Sequence, residues 1–534
     1  MLRGLEPSIV NGQSSIVNRP RFLVNQLGFP LLSLVLWLPT LGALALLFVP
    51  RDSIGTQRTV ALAFALAALA VSLPLYFAFD ASSKGFQFAE AVDWVRSWGI
   101  SYNISIDGVS LWLVLLTTFL TPITLISTWD SVHKDFRSFQ ILMLLLETGM
   151  IGVFVAQDLF LFYIFWEFTL IPMALLIGIW GSANRVRAAV KFFLYTFAGS
   201  VFMLLGIIAL YLLNRQATGT PTFDIAILQA NIANGTLKID PTVGRLLFAS
   251  FFLAFAIKVP LWPFHTWLPL AHTEAPTAGS VILAGVLLKL GGYGLIRFNL
   301  QLFPEAARWA APAIGVLAVI GILYGAMVSF AQTDMKKLVA YSSVSHLGFV
   351  VLGIFALNQQ GISGAILQMI NHGLSTGALF LVVGYIYERR HTREMAAFGG
   401  LWKVMPIYGG LALAMVMSSV GLPGLNGFVG EYTIMQGAYL SDALGGAFVA
   451  FAVIGVILAA TYLLRMFRLT FMGDVTNPEN ATLSDITPRE IALLVLLLVP
   501  IVVIGVYPNL LFAPMQPAVE QIAQQLTSVV ASIR

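Results

Sequence analysis

The sequence predicts an all-α integral membrane protein of about fourteen transmembrane helices, two of them broken. Three observations predict it. Charged residues make up 10% of the 534 residues and hydrophobic ones 58%. A soluble domain carries roughly 25% charged residues, so this chain has too little polar surface to face water. Apolar stretches long enough to span a bilayer core, about 20 residues, recur from residue 31 to residue 513. Proline and glycine interrupt two of them, at 253–279 and 419–431.

The stretches fall near 31–49, 59–79, 108–128, 138–156, 158–180, 189–213, 245–268, 276–298, 309–331, 338–357, 362–387, 404–435, 444–471 and 489–513. Connections are short. The longest, near 80–107, 214–244 and 472–488, are too small for a soluble domain. Residues 1–28 are polar and lack a signal peptide's apolar core, and they read as an extramembrane tail. Spans within 29–130 come next. Five-span units at 131–300 and 301–472 then place the two interrupted spans, seventh and twelfth, at equivalent positions. Residues 473–534 hold a loop, the last span and a C-terminal tail. Paired broken helices in two halves of a membrane protein point to an ion path. Proline removes a backbone donor, and in lipid the freed groups need partners from protein or water.

Lys and Arg set orientation. The side reached after odd-numbered spans holds 16 of them, among them Lys336, Lys337, Arg389 and Arg390; the other side holds 11. The odd-numbered connections are therefore expected in the cytoplasm and both termini outside. A multi-pass protein without a transit peptide suggests a bacterial plasma membrane.

Composition also excludes. With no cysteine there is no thiolate for an iron–sulfur cluster or a Cys-ligated zinc. No phosphate loop or dinucleotide-binding glycine motif occurs. A net charge of +4 without a basic face indicates no nucleic-acid partner.

Few ionisable groups lie well inside the spans: Glu147, Glu167, Lys258, Lys289, His346, His372 and Glu431. Such groups are expensive in lipid and by default functional. Burial favours the neutral form of each, and an opposite charge nearby favours the charged form. A pair that opens and closes therefore switches proton affinity. For Glu167, Lys258, Lys289 and Glu431 the alternative is a structural ion held by a neighbouring helix. For His346 and His372 a satisfied core histidine competes evenly with a proton wire. Glu147, with no break or second charge beside it, is as suited to structure as to transport. His265 lies seven residues after Lys258 and would share its face on an unbroken helix. Lys336 and Lys337 fit a snorkelling interface, with proton feeding as the alternative. The histidines form no metal-ligand set.

Four stretches, FWEFTLIPM, FAIKVPLWPFHTWLPLAHTEAPTAGSVILAGVLLKLGGYGL, FAQTDMKKLVAYSSVSHLGFV and GLPGLNGFVGEYTIM, together resemble the antiporter-like, proton-translocating subunits of respiratory complex I, over roughly residues 105–470. The resemblance implies two inverted five-helix repeats, broken seventh and twelfth helices, and a central proton axis. It matches Glu167 and Lys258 to an ion pair, Lys289 to the central lysine, His346 and His372 to relay histidines and Glu431 to the terminal acid. Sister subunits and multisubunit sodium/proton antiporters usually carry lysine at that last place. At Leu270 many relatives have aspartate, so that carboxylate is not carried over. The resemblance further implies coupling to quinone reduction, with NADH, FMN, iron–sulfur clusters and quinone bound by partners and no cofactor in this chain. The partners would be other membrane-arm subunits, sister antiporter-like ones included, and lipids. The rivals are a subunit of a cation/proton antiporter or of a proton-pumping hydrogenase, a purely structural membrane arm, and, least suited, a solute transporter.

Overall fold

The structure, a computed structural model, describes residues 28–533, with side chains through 527. Residues 1–27 of the expected tail lie outside the described residues. Among the described residues twelve helices are long and apolar enough to cross a membrane, and the shorter apolar helices Leu31–Leu47 and Pro406–Val420 stand at the first and twelfth places.

Helices α1 (Leu31–Leu47) and α2 (Ile54–Phe77) lead into strands β1 (Gln87–Val95) and β2 (Ile100–Ile106). This antiparallel hairpin fills the connection read above as a loop. Its signal is local: ISYNISI alternates polar residues with β-branched or aromatic ones. Glu90 of the hairpin accepts the Leu32 and Ser33 amides at 2.8 and 3.1 Å, capping α1. Asp107 then caps α3 (Gly108–Ser127) in a capping box, and α4 (Phe136–Val155) follows.

The fifth span, Leu159–Trp180, runs as α5 (Leu159–Phe168) and α6 (Leu170–Trp180), which meet at Thr169 with its backbone still helical. Pro172 offers no N–H to the Phe168 carbonyl and crowds that turn. Next come α7 (Arg185–Thr218), the surface helix α8 (Ile225–Ala233) and α9 (Pro241–Lys258). The expected seventh break starts at Lys258 itself, before Pro260 and Pro263. The chain resumes as α10 (Leu268–Glu274). The Trp267 indole donates to the Ile257 carbonyl at 2.9 Å, satisfying a group the break releases.

The eighth span, Thr277–Leu300, is buried over residues 278–300. It runs as α11 (Thr277–Ile282), widens to π geometry over Leu283–Leu287, continues as α12 (Leu288–Gly294) and widens again over Leu295–Leu300. Around it stand α13 (Pro304–Ala331), α14 (Met335–Ile354) and α15 (Gln359–Arg390), the last buried continuously over residues 364–386. After the short α16 (Leu401–Val404), the twelfth span divides into α17 (Pro406–Val420) and α18 (Asn426–Tyr439) around Pro423. A Cβ on Gly427 would stand 2.1 Å from the Ser418 carbonyl oxygen, so only glycine lets the two halves approach this closely. The chain closes with α19 (Gly446–Phe471), α20 (Pro488–Val506) and α21 (Asn509–Ile533). The last span therefore ends at Val506, short of the expected residue 513. The segment read as a tail is helical, and Leu511, Met515, Val519 and Ile522 are buried where it packs on α3, α13 and α15.

Candidate functional site

Four of the sequence-predicted residues come together in one buried line. Lys289 projects from α12 beside the first π turn, and π bulges are frequent at functional sites. Its ammonium donates to the Ala284 carbonyl within that turn and lies 2.7 Å from His372 Nδ1 on α15. The His372 and His346 rings are edge to face with centroids 6.1 Å apart. His346 Nδ1, on α14, stands 2.8 Å from Glu431 Oε1 on α18. Four helices thus contribute one group each, all 4% exposed or less.

Polar neighbours that the sequence reading passed over hold this line. Gln368 donates to Glu431 Oε1 at 3.2 Å. The Tyr462 hydroxyl lies 3.3 Å from His346 Nε2. Asn371 donates to the Asn426 carbonyl at 2.7 Å, and the Ser418 hydroxyl bonds the Asn426 side chain at 2.6 Å. The twelfth break is therefore pinned to α15, the helix that carries His372. A cavity of about 10 Å³, the size of one water, lies between His346, Gln368, His372 and Ser419. In sequence the signal was Q368-M-I-N-H372, whose residues 368, 371 and 372 share a helical face.

Glu167 and Lys258 form a second, different cluster. Lys258 is 1% exposed, and its ammonium has no hydrogen-bond partner. It lies over the Trp166 ring at 5.4 Å and the Phe192 ring at 5.7 Å. Glu167 is within reach of its charge, beside Tyr163 and Ser200. Among the described residues no ion pair within 4 Å joins the two, so the pairing implied by the resemblance is open here, with aromatic faces in the carboxylate's place.

Three further residues fall elsewhere. His265 does not share a helical face with Lys258, because α9 ends before it. Its ring meets Tyr324 edge to face at 5.1 Å, and the charge bearing on it is Lys191. Glu147 is fully buried in α4 near Thr121, apart from the line. Lys336 does not snorkel: it is 5% exposed and donates inward to the Ala275 carbonyl at 2.5 Å, while Lys337 is exposed.

An ion pair the sequence reading missed joins Arg297 to Asp107 at 2.7 Å, with Tyr293 bonded to Arg297 at 3.2 Å. It ties the eighth span to the hairpin's end. Among the described residues no group of three or more His, Asp or Glu could hold a metal ion.

The broken helices and the buried ionisable line define an antiporter-type transmembrane domain. Residues 156–459 match the family model described as NADH:quinone oxidoreductase/Mrp antiporter, transmembrane, and the chain belongs to that family. It is 45% identical to NADH-quinone oxidoreductase subunit M of Rhodobacter capsulatus, covering 92% of this chain and 96% of that protein. It is 41% identical to NAD(P)H-quinone oxidoreductase chain 4 1 of a Nostoc species, covering 92% and 90%. Among solved structures, a chain of respiratory complex I from Thermus thermophilus superposes with a TM-score of 0.83 at 31% identity, covering 93% of this chain and 99% of that one. A chain of the Mrp complex from a Dietzia species shares the fold, with a TM-score of 0.80 at 21% identity, over 95% and 100%. The fold is that expected of the complex I antiporter-like subunits, and the chain is a multi-pass membrane protein.

Proposed function

We propose that this chain is a proton-translocating membrane-arm subunit of an NADH:quinone oxidoreductase, working in a bacterial plasma membrane beside sister antiporter-like subunits. The observation that carries the reading is the succession Lys289, His372, His346, Glu431 across four helices, with a one-water cavity beside the two histidine rings. Imidazoles accept a proton on one ring nitrogen and release one from the other, which suits them to join a lysine to a carboxylate. The redox groups, NADH, FMN, iron–sulfur clusters and quinone, belong to partner subunits in this reading, and this chain moves only protons.

The switch is the Glu167–Lys258 cluster. A charge change from a neighbouring subunit moves Glu167 relative to Lys258. Closed, the pair favours the charged lysine; open, burial favours the neutral amine. Lys258 then gives its proton toward Lys289, which passes it through His372 and His346 to Glu431 and out. Residues 131–300 act as the switching half and 301–472 as the releasing half.

Donor-driven quinone reduction and proton uptake, measured together in vesicles carrying Lys258→Ala with assembly checked on a native gel, test the reading. Both activities are expected to fall together in an assembled complex. If both persist at the normal ratio, Lys258 is structural and the path is wrong. Sodium-dependent exchange without a redox donor would instead identify a cation/proton antiporter.

A further inference from the structure

The side of the even-numbered connections carries a site that the proton axis does not use. A cavity of about 560 Å³ opens there between α8, the start of α9 and the start of α13. Small-molecule pockets run to about 300–1,000 Å³. Lys238, Asp240, Arg245 and Glu305 line it, and in a chain with 10% charged residues four ionisable groups around one cavity are conspicuous. Asp240 is spent on the fold: it accepts the Thr242 and Val243 amides at 2.8 and 3.4 Å and caps α9. The other three are not spent. Among the described residues no ion pair within 4 Å engages Lys238, Arg245 or Glu305. Gln229 and Gln301 are joined side chain to side chain at 3.0 Å. They tie α8 to the residue after the eighth span and fix one wall of the cavity.

The cavity stands at the edge of an apolar, lipid-facing surface. The Arg245 guanidinium lies over the Trp309 ring at 4.8 Å. Trp309 is 60% exposed near the start of its span, and tryptophan there marks the level of the lipid headgroups. Leu246, next to Arg245, and Val316, two turns along α13 from Trp309, are exposed apolar side chains on the same two spans. A ligand that fits must therefore be charged at one end and apolar at the other. A soluble anion would use the two cations and leave the apolar track empty. An anionic lipid would use both but set its charge beside Glu305. A choline headgroup has no N–H to give that carboxylate. A phosphate ester bearing a primary ammonium and acyl chains meets every group.

We propose that this cavity binds the headgroup of a phosphatidylethanolamine molecule. Its phosphate sits on Lys238 and Arg245, its ammonium on Glu305, and its acyl chains run over Leu246 and Val316. Charge-assisted hydrogen bonds of this kind are the strong ones. The lipid joins the seventh span to the ninth on the side away from the odd-numbered connections. It takes no part in proton transfer, so the site stands whether or not the function proposed above does.

The test uses the assembled complex in phosphatidylcholine vesicles that hold a trace of phosphatidylethanolamine with a photoactivatable diazirine in one acyl chain. Cross-linked peptides are mapped by mass spectrometry. Cross-links are expected on α9 around Leu246 and on α13 around Trp309 and Val316. Added unlabelled phosphatidylethanolamine is expected to suppress them at amounts where phosphatidylcholine and phosphatidylglycerol do not. Lys238→Gln with Arg245→Gln is expected to lower this labelling by a factor on the order of 10, the scale set by two basic side chains at a lipid surface. Glu305→Gln is expected to keep the labelling and to lose the preference for ethanolamine over choline. All three side chains are exposed, and cross-links elsewhere on the chain report that each variant is assembled and reconstituted. Unchanged labelling in the double variant overturns the proposal, as does equal suppression by phosphatidylcholine or phosphatidylglycerol. Suppression by inorganic phosphate shows a soluble-anion site and also overturns it. So does an absence of cross-links in these segments, which shows that a neighbouring subunit covers the face.

Discussion

The two broken spans solve opposite electrostatic problems. At the seventh, Lys258 is the last residue of α9 and sits where the half-helix's carbonyl ends favour a cation. It has no hydrogen-bonding side chain, only the faces of Trp166 and Phe192. At the twelfth, Glu431 lies in the second turn of α18, where the helix-end field has largely faded, and it is held by His346 and Gln368. One break therefore supports a charge by diffuse fields that a neighbour can change. The other supports it by directed hydrogen bonds. In the function proposed above, the first surroundings suit a switch and the second a relay, although a proline-broken helix makes both.

Breaking the relay should have the largest effect. Lys289→Met removes the partner of His372 and is expected to lower proton uptake and quinone reduction together by a factor on the order of 10² or more, read in vesicles with assembly verified. Closing the space at the twelfth break should come next. In Gly427→Ala the new Cβ would stand 2.1 Å from the Ser418 carbonyl oxygen. Thermal unfolding in detergent should show a loss of about 1–3 kcal/mol, whereas Gly410→Ala, with open space beside it, should show almost none. Trp166→Leu weakens the diffuse support of Lys258. Such a contact is worth about 0.5–2 kcal/mol, so turnover should change several-fold and no further. An effect as large as that of Lys289→Met would erase the contrast between the two breaks.

The smallest effect belongs outside the membrane. The Arg489 guanidinium bonded to Asp130 holds that carboxyl below the ordinary carboxylate range. Stability from the pair is present above the ordinary value and is lost as pH falls through the lowered one. Both side chains are partly exposed, so Asp130→Asn should cost about 0–1 kcal/mol and flatten that acid limb of a thermal-stability profile.

Much of this was legible because lipid makes departures from apolar helix conspicuous. Pro260, Pro263 and Pro423 marked the two expected breaks, and Lys289, His346, His372 and Glu431 stood out as ionisable groups inside apolar spans. What escaped was non-local or drowned in apolar context. Pro172 loosened the turn at Thr169 unnoticed, because the span reads as one continuous apolar helix on either side of it. Arg297 drew no reading at all, since nothing in sequence ties it to Asp107, 190 positions away. Lys336 sat where lysines ordinarily snorkel, and only the packing of Ala275 against it turns it inward. The hairpin was hidden by its amphipathic brevity, and α21 by its polar residues.

The central claim is that Lys289 and Glu431 belong to one line. Groups that act as a unit are not additive. The most direct measurement is proton uptake in vesicles carrying Lys289→Met, Glu431→Gln and both together. One line predicts that the double variant loses no more than the worse single variant. Losses that multiply would show two independent paths and contradict the account.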